Sequence, residues 1–207
     1  NHDLDYGYEA FATCRQSTRV PVLAANLVDT EGRPYLAVDG KGYLVREVAG
    51  VRIGAFALAG EDVQRLIRPL NLPLHTRWLN ALQTARAVVK TLREQEKVQA
   101  VVFFGHQGRE DDEAMARAVP GIDLVLGTHS HHKSGLVTIP GTATRYIAPY
   151  QYLTYISDVR LSFEDGRLVG VQGGLVPVDG SISPDPQVAA RVAALQQRLR
   201  GRRAGGL

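Results

Sequence analysis

Between Thr76 and Gly127 the chain twice places an unbroken apolar run behind a helical repeat, and that alternation leaves few folds open. Leu79, Leu82, Ala85, Val88, Val89 and Leu92 recur at three- and four-residue spacing, which predicts a helix from Thr76 to about Glu96. Val98 to Phe104 then runs apolar into Gly105, as a strand covered on both faces must. The pattern repeats with a helix over Asp111 to Val119 and a strand over Ile122 to Leu126 ending at Gly127. Strand, helix and strand joined by short links are a βαβ crossover, so the chain is α/β with a parallel sheet at its centre.

The flanking segments read as smaller units. A short helix is expected over Glu9 to Gln16 and a buried strand over Val20 to Asn26, entering a turn at Asp29 to Arg33. Residues 43 to 58 alternate apolar and polar side chains on either side of Ala49-Gly50, which predicts two joined strands. Beyond residue 135, strands are expected over Gly135 to Ile139, Ala143 to Ala148, Leu153 to Phe163 and Leu168 to Val178, with Glu164-Asp165-Gly166 as a hairpin turn. A last helix follows Ser183-Pro184, and the Gly- and Arg-rich tail from Gly201 to Leu207 is expected to fray.

Composition excludes several classes. With 44% hydrophobic residues, 207 residues build one domain with a real core. The net charge of +3 comes from arginines scattered along the chain, apart from a basic end at Arg198, Arg200, Arg202 and Arg203. There is no stripe with aromatic interleaving, so no nucleic-acid polymer is expected as a partner. No apolar run approaches the ~18 residues of a membrane span. Cys14 has no second cysteine to pair with and reads as a buried small hydrophobe on the first helix. The chain begins Asn1-His2-Asp3 without an initiator Met, which leaves the compartment open.

Five of the six histidines fall in three clusters beside strand ends. These are Asn1-His2-Asp3-Leu4-Asp5, Gly105-His106-Gln107-Gly108 and Gly127-Thr128-His129-Ser130-His131-His132. An open α/β sheet places its ligand sites at strand carboxyl ends. Imidazole suits zinc, iron, manganese or cobalt, and an Asn amide oxygen adds a hard ligand. Histidine pairs alone also occur as hydrogen-bonded loop residues.

Together the clusters resemble the calcineurin-like metallophosphoesterases, and within them the 5'-nucleotidase and 2',3'-cyclic phosphodiesterase branch. The Asn1-His2-Asp3-Leu4-Asp5 run is similar to that family's Gly-Asn-His-(Asp/Glu) motif without its leading Gly. The likeness continues through Pro21 to Asn26, Ile53-Gly54, Gly105 to Gly108, Gly121-Ile122-Asp123 and Gly127 to His131, covering roughly residues 1 to 170. The resemblance implies a sandwich of two mixed β-sheets flanked by helices, with its first strands missing. It also implies two divalent ions, of manganese, zinc, cobalt, iron or calcium. Asn1, His106 and His129 would bind one and His131 the other, while His2, oriented by Asp5, would act as general acid or as a cation facing the phosphate. Two ions ~3.5–4 Å apart lower the pKa of a bridging water and clamp the phosphoryl oxygens. The implied substrates are nucleoside 5'-monophosphates or 2',3'-cyclic nucleotides, and a periplasmic or extracellular location follows from the resemblance alone.

The family's Asp-x-His and Gly-Asp-x-x-Asp motifs have no counterpart here, for the chain holds no Asp-x-His and no Gly-Asp. The expectation is therefore a partial catalytic domain over 1–182, inactive alone, followed by a linker helix and frayed basic tail over 183–207. Alternatives on the same scaffold are a thiohydrolase, a nucleotide-sugar diphosphatase or a non-catalytic binding domain. Asn26 matches an Asn near the substrate in some relatives, and turn formation explains it equally well. His75 reads as a surface or capping residue, Trp78 as packing, and Tyr146, Tyr150, Tyr152 and Tyr155 as packing and cross-strand residues. His132 lines the pocket or sits in an exposed loop. Arg109-Glu110-Asp111-Asp112-Glu113 reads as a solvated helix start, where acidic side chains favour the dipole.

Overall fold

The computed structural model describes residues 2–204. A six-stranded mixed sheet forms the centre. Its strands are β3 (Tyr43–Val48), β4 (Val51–Ala59), β6 (Ala100–His106), β7 (Leu124–Gly127), β8 (Lys133–Thr138) and β9 (Arg145–Pro149), in the order β3-β4-β6-β7-β9-β8. Strands β4, β6, β7 and β9 are parallel, as the crossovers require. The edge strands β3 and β8 are antiparallel to their neighbours. Ala49 and Gly50 join β3 to β4 with φ of 51° and 78°, the left-handed pair of a tight hairpin.

Helices α3 (Ala81–Glu94) and α4 (Arg109–Ala118) cover one face of this sheet. Ala85, Val89 and Leu92 from α3 and Met115 and Ala116 from α4 bury against Phe56, Val101, Phe103 and Val125. Each of the larger of these side chains, the valines, Leu92, Met115 and the two phenylalanines, stabilises by roughly 1.5–3 kcal/mol when fully buried. Val102, Leu124 and Ile147 point to the opposite face, where they meet Val159 and Val171 of the hairpin β10 (Tyr155–Glu164) and β11 (Arg167–Pro177). The fold is the expected α/β sandwich. Asp165 and Gly166 take φ of 47° and 72° at the expected turn.

A three-stranded sheet, β2-β1-β5, is built from β1 (Ala24–Val28), β2 (Pro34–Leu36) and β5 (Arg77–Trp78). Asn26 clasps it to the end of β4: its amide donates to the Ala59 carbonyl at 2.8 Å and accepts from the Ala59 N–H at 3.1 Å. The remaining helices are α1 (Tyr8–Gln16), α2 (Glu61–Leu66) and α5 (Pro186–Ala204). One compact unit extends to Val176, and a second begins at Pro177 and contains α5. No helix among the described residues is long and apolar enough to cross a membrane.

Several expectations are corrected. The long helix begins at Ala81, because Asn80 caps it by accepting from the Gln83 N–H at 2.9 Å. Arg77 and Trp78 pair instead with Val28 and Leu27. The early strand starts at Ala24; Val20 is exposed and Pro21 has no N–H to give a ladder. Cys14 is exposed, since α1 buries no residue fully and packs through Tyr8 and Phe11. The last helix continues to Ala204, past the point where fraying is expected. The start of α4 is not wholly solvated: Glu113 pairs with Arg109 and Arg117, but Asp112 is fully buried. Trp78 packs near Val63 and Ile67, and His75 lies exposed in a loop with φ of 64°.

Candidate active site

The parallel strands end at Ala59, His106, Gly127 and Pro149, and the loops that leave them carry the site. Four histidines from three separate clusters, His2, His106, His129 and His131, line one open cleft of about 660 Å³. Tyr150, Gln151, Tyr152 and Leu153 form its other wall. Asn1 lies outside the described residues.

Gly105 and Gly127 pair across β6 and β7 just before the histidine loops. A Cβ at Gly105 would collide with the Asp112 carboxylate, and one at Gly127 with the Tyr146 hydroxyl. Glycine at both strand ends therefore admits buried polar groups beneath the site. Neither Asp112 oxygen, nor the Tyr146 hydroxyl, nor Gln107 Nε2 makes a hydrogen bond of good geometry in this layer. Burial pushes the Asp112 carboxyl up to about 8, with Asp111 and Asp62 adding to the rise and the nearby Gln107 side chain opposing it. Burial also pushes the Tyr146 phenol up to about 12, Asp112 again contributing.

The rings of His106 and His129 stand 5.0 Å apart at 60°. Nδ1 of His106 is 2.9 Å from Thr128 Oγ1, and the Thr128 hydroxyl donates to the Gly105 carbonyl at 2.8 Å. Burial brings the His106 imidazole down to about 4, the neighbouring His129 being among the lesser causes. Nε2 of His129 approaches Asp62 Oδ2 at 3.4 Å. His2 is largely exposed and its Nδ1 meets Asp5 Oδ2 at 2.9 Å. The Asn71 amide donates to the Leu4 carbonyl at 2.8 Å and so holds that turn in place.

His131 takes φ of 50°, and its ring lies 6.2 Å from that of Tyr152. Tyr150, Tyr152 and Leu153 also adopt left-handed φ of 70°, 56° and 55°. Non-glycine residues there cost energy and cluster at functional sites. Tyr150 and Tyr152 are thus cleft residues and not the cross-strand packing expected of them, because the strand ends at Pro149. Tyr146 does pack, fully enclosed. His132 turns away to Arg109, whose guanidinium donates to its Nε2.

Sequence reasoning missed Asp62 and Thr128. Asp62 follows the carboxyl end of β4, a position that strand-end logic flags in principle. Thr128 stands inside the Gly127–His132 run, where nothing local distinguishes it from an ordinary turn residue. Asn26 is fully buried and its amide is engaged by Ala59, so it does not line the cleft.

Four imidazoles offer nitrogen donors that suit borderline metal ions. A dinuclear centre also needs a carboxylate between the ions, since two cations at short range repel strongly. Among the described residues no group of three or more His, Cys, Asp or Glu is placed to hold a metal ion. The described donors therefore do not by themselves fit a two-metal centre.

No family model matches the chain. A 5'-nucleotidase from Diplobatis ommata is 26% identical over 223 residues, which is 96% of this chain and 37% of that protein. The structure of a 5'-nucleotidase precursor from Thermus thermophilus superposes with a TM-score of 0.80 at 22% identity, over 97% of this chain and 42% of that one. The calcineurin-like phosphoesterase YfkN from Bacillus subtilis gives a TM-score of 0.71 at 15% identity, over 95% and 67%. The chain spans less than two fifths of the first curated relatives it matches, 38% and 37%.

Proposed function

We propose that this chain, whose relatives in sequence and fold are 5'-nucleotidases and calcineurin-like phosphoesterases, carries part of a catalytic site for metal-dependent hydrolysis of phosphate esters. The observation that carries the reading is the convergence of His2, His106, His129 and His131 on one cleft from motifs far apart in the chain. Nucleoside 5'-monophosphates or 2',3'-cyclic nucleotides are the substrates this kinship favours. Residues 1–182 would be the catalytic part and 183–207 the linker.

In this reading Asn1, His106 and His129 would ligate one divalent ion and His131 the other, once the full donor set is present. His2 is the general acid. Its carboxylate partner Asp5 holds Nδ1 at 2.9 Å and aims the ring, so that Nε2 could hand a proton to the leaving-group oxygen. Tyr150 and Tyr152, which also line the cleft, would offer rings against which a nucleotide base could stack.

Titration of the chain with inorganic phosphate and with AMP, followed by NMR of the histidine rings, tests the proposal. The signals of His2, His106, His129 and His131 should move together, and that of His75, which does not line the cleft, should not. Uniform silence of the four cleft rings up to millimolar ligand would overturn it.

A further inference from the structure

We infer that Thr128 is a positioning residue that fixes the proton of the His106 ring on Nδ1. Counting hydrogens identifies the donor. A threonine hydroxyl has one proton and can accept further bonds, whereas a carbonyl oxygen can only accept. The Thr128 hydroxyl directs its proton to the Gly105 carbonyl at 2.8 Å. Toward His106 Nδ1, 2.9 Å away, Oγ1 has only lone pairs left, so the ring nitrogen must be the donor. In the neutral ring the other nitrogen, Nε2, then carries the electron pair.

The relay is built into the sheet. Gly105 precedes His106 at the end of β6, and it pairs with Gly127, which precedes Thr128 at the end of β7. Strand register therefore brings the hydroxyl to both the carbonyl and the ring. His129 is biased the other way. Asp62 Oδ2 can only accept, and its approach to Nε2 at 3.4 Å favours a proton there, leaving the electron pair of His129 on Nδ1. The hydrogen bond to Thr128 thus sets the tautomer of His106, while Asp62 exerts only an electrostatic pull on that of its neighbour His129. Such neighbours decide which nitrogen of a histidine can act as ligand or base.

This role for Thr128 rests on the reading of His106 as a site residue, but its test uses neither metal nor substrate. In a long-range proton–nitrogen NMR spectrum of the labelled chain at pH 8, the His106 pattern is assigned by its loss in His106→Gln. The expected result is the Nδ1–H form in the wild type and in Thr128→Ser, which keeps the hydroxyl. Thr128→Val should lose that form in favour of Nε2–H, the tautomer imidazole prefers in water. An Nε2–H pattern in the wild type overturns the inference whatever the variants do. So does a folded Thr128→Val, or Thr128→Ala if the valine misfolds, that keeps Nδ1–H. Failure here leaves the phosphate and AMP titration untouched, so the two readings fall separately.

Discussion

Asp112 is fully buried under Gly105, and its raised pKa is a statement about stability as well as charge. Its carboxyl titrates near 8 in the folded chain against an ordinary value of 3.8. Between those values the folded state keeps a proton that the unfolded state gives up, so stability falls as pH rises across the window. His106 acts oppositely: with its pKa brought from 6.5 to about 4, it adds stability as pH rises between those two values. The two effects oppose each other below 6.5, and above it Asp112 acts alone of the pair. The melting temperature should therefore fall from pH 6.5 to about 8 and level off by pH 9, and Asp112→Asn should flatten that fall and be the more stable protein at pH 9. Melting curves of both proteins across that range check this; parallel slopes would count against a buried proton on Asp112.

At the scale of elements, the most instructive boundary is the start of α3. Apolar spacing alone extends the helix back to Thr76, yet Asn80 ends it by capping. The cap frees Arg77 and Trp78 to pair with β1. Asn80→Ala should lower unfolding free energy by roughly 1 kcal/mol, the usual cost of losing such a cap, and Asn80→Gly by only a few tenths. Chemical denaturation of the three proteins measures both, and no measurable loss in Asn80→Ala would show that the side-chain bond to Gln83 contributes little. The parallel strands set the opposite lesson. Val98 to Phe104 and Ile122 to Leu126 were legible as strands because residues buried on both faces need no periodicity, and the structure places β6 and β7 there within two residues, although Phe104 stays exposed.

Over the whole molecule, the cleft gathers imidazoles but the described residues offer no carboxylate bridge between ions. Purified chain with manganese, zinc or cobalt should therefore turn over AMP and chromogenic phosphodiesters far below ~1 per second, the low end for ordinary enzymes. A steady-state assay on the chain and on His129→Ala decides it: turnover at that rate, lost in the variant, would mean that a complete centre forms from these residues alone.

The sequence by itself determined the α/β class, the hairpin at Ala49-Gly50, the crossovers around α3 and α4, and the setting of His106 and His129 at strand ends. These features are written in periodicity and turn chemistry over a few neighbouring residues, where local sterics decide the outcome. Only the tertiary structure decided that His2 shares a cleft with His131, that Asp62 reaches His129, that Thr128 couples two strand ends, and that Asn26 is a clasp. It also decided that Asp112 is buried while Cys14 is exposed. Each of these depends on strand order and on which faces pack together, and those are properties of segments distant along the chain that no local pattern encodes.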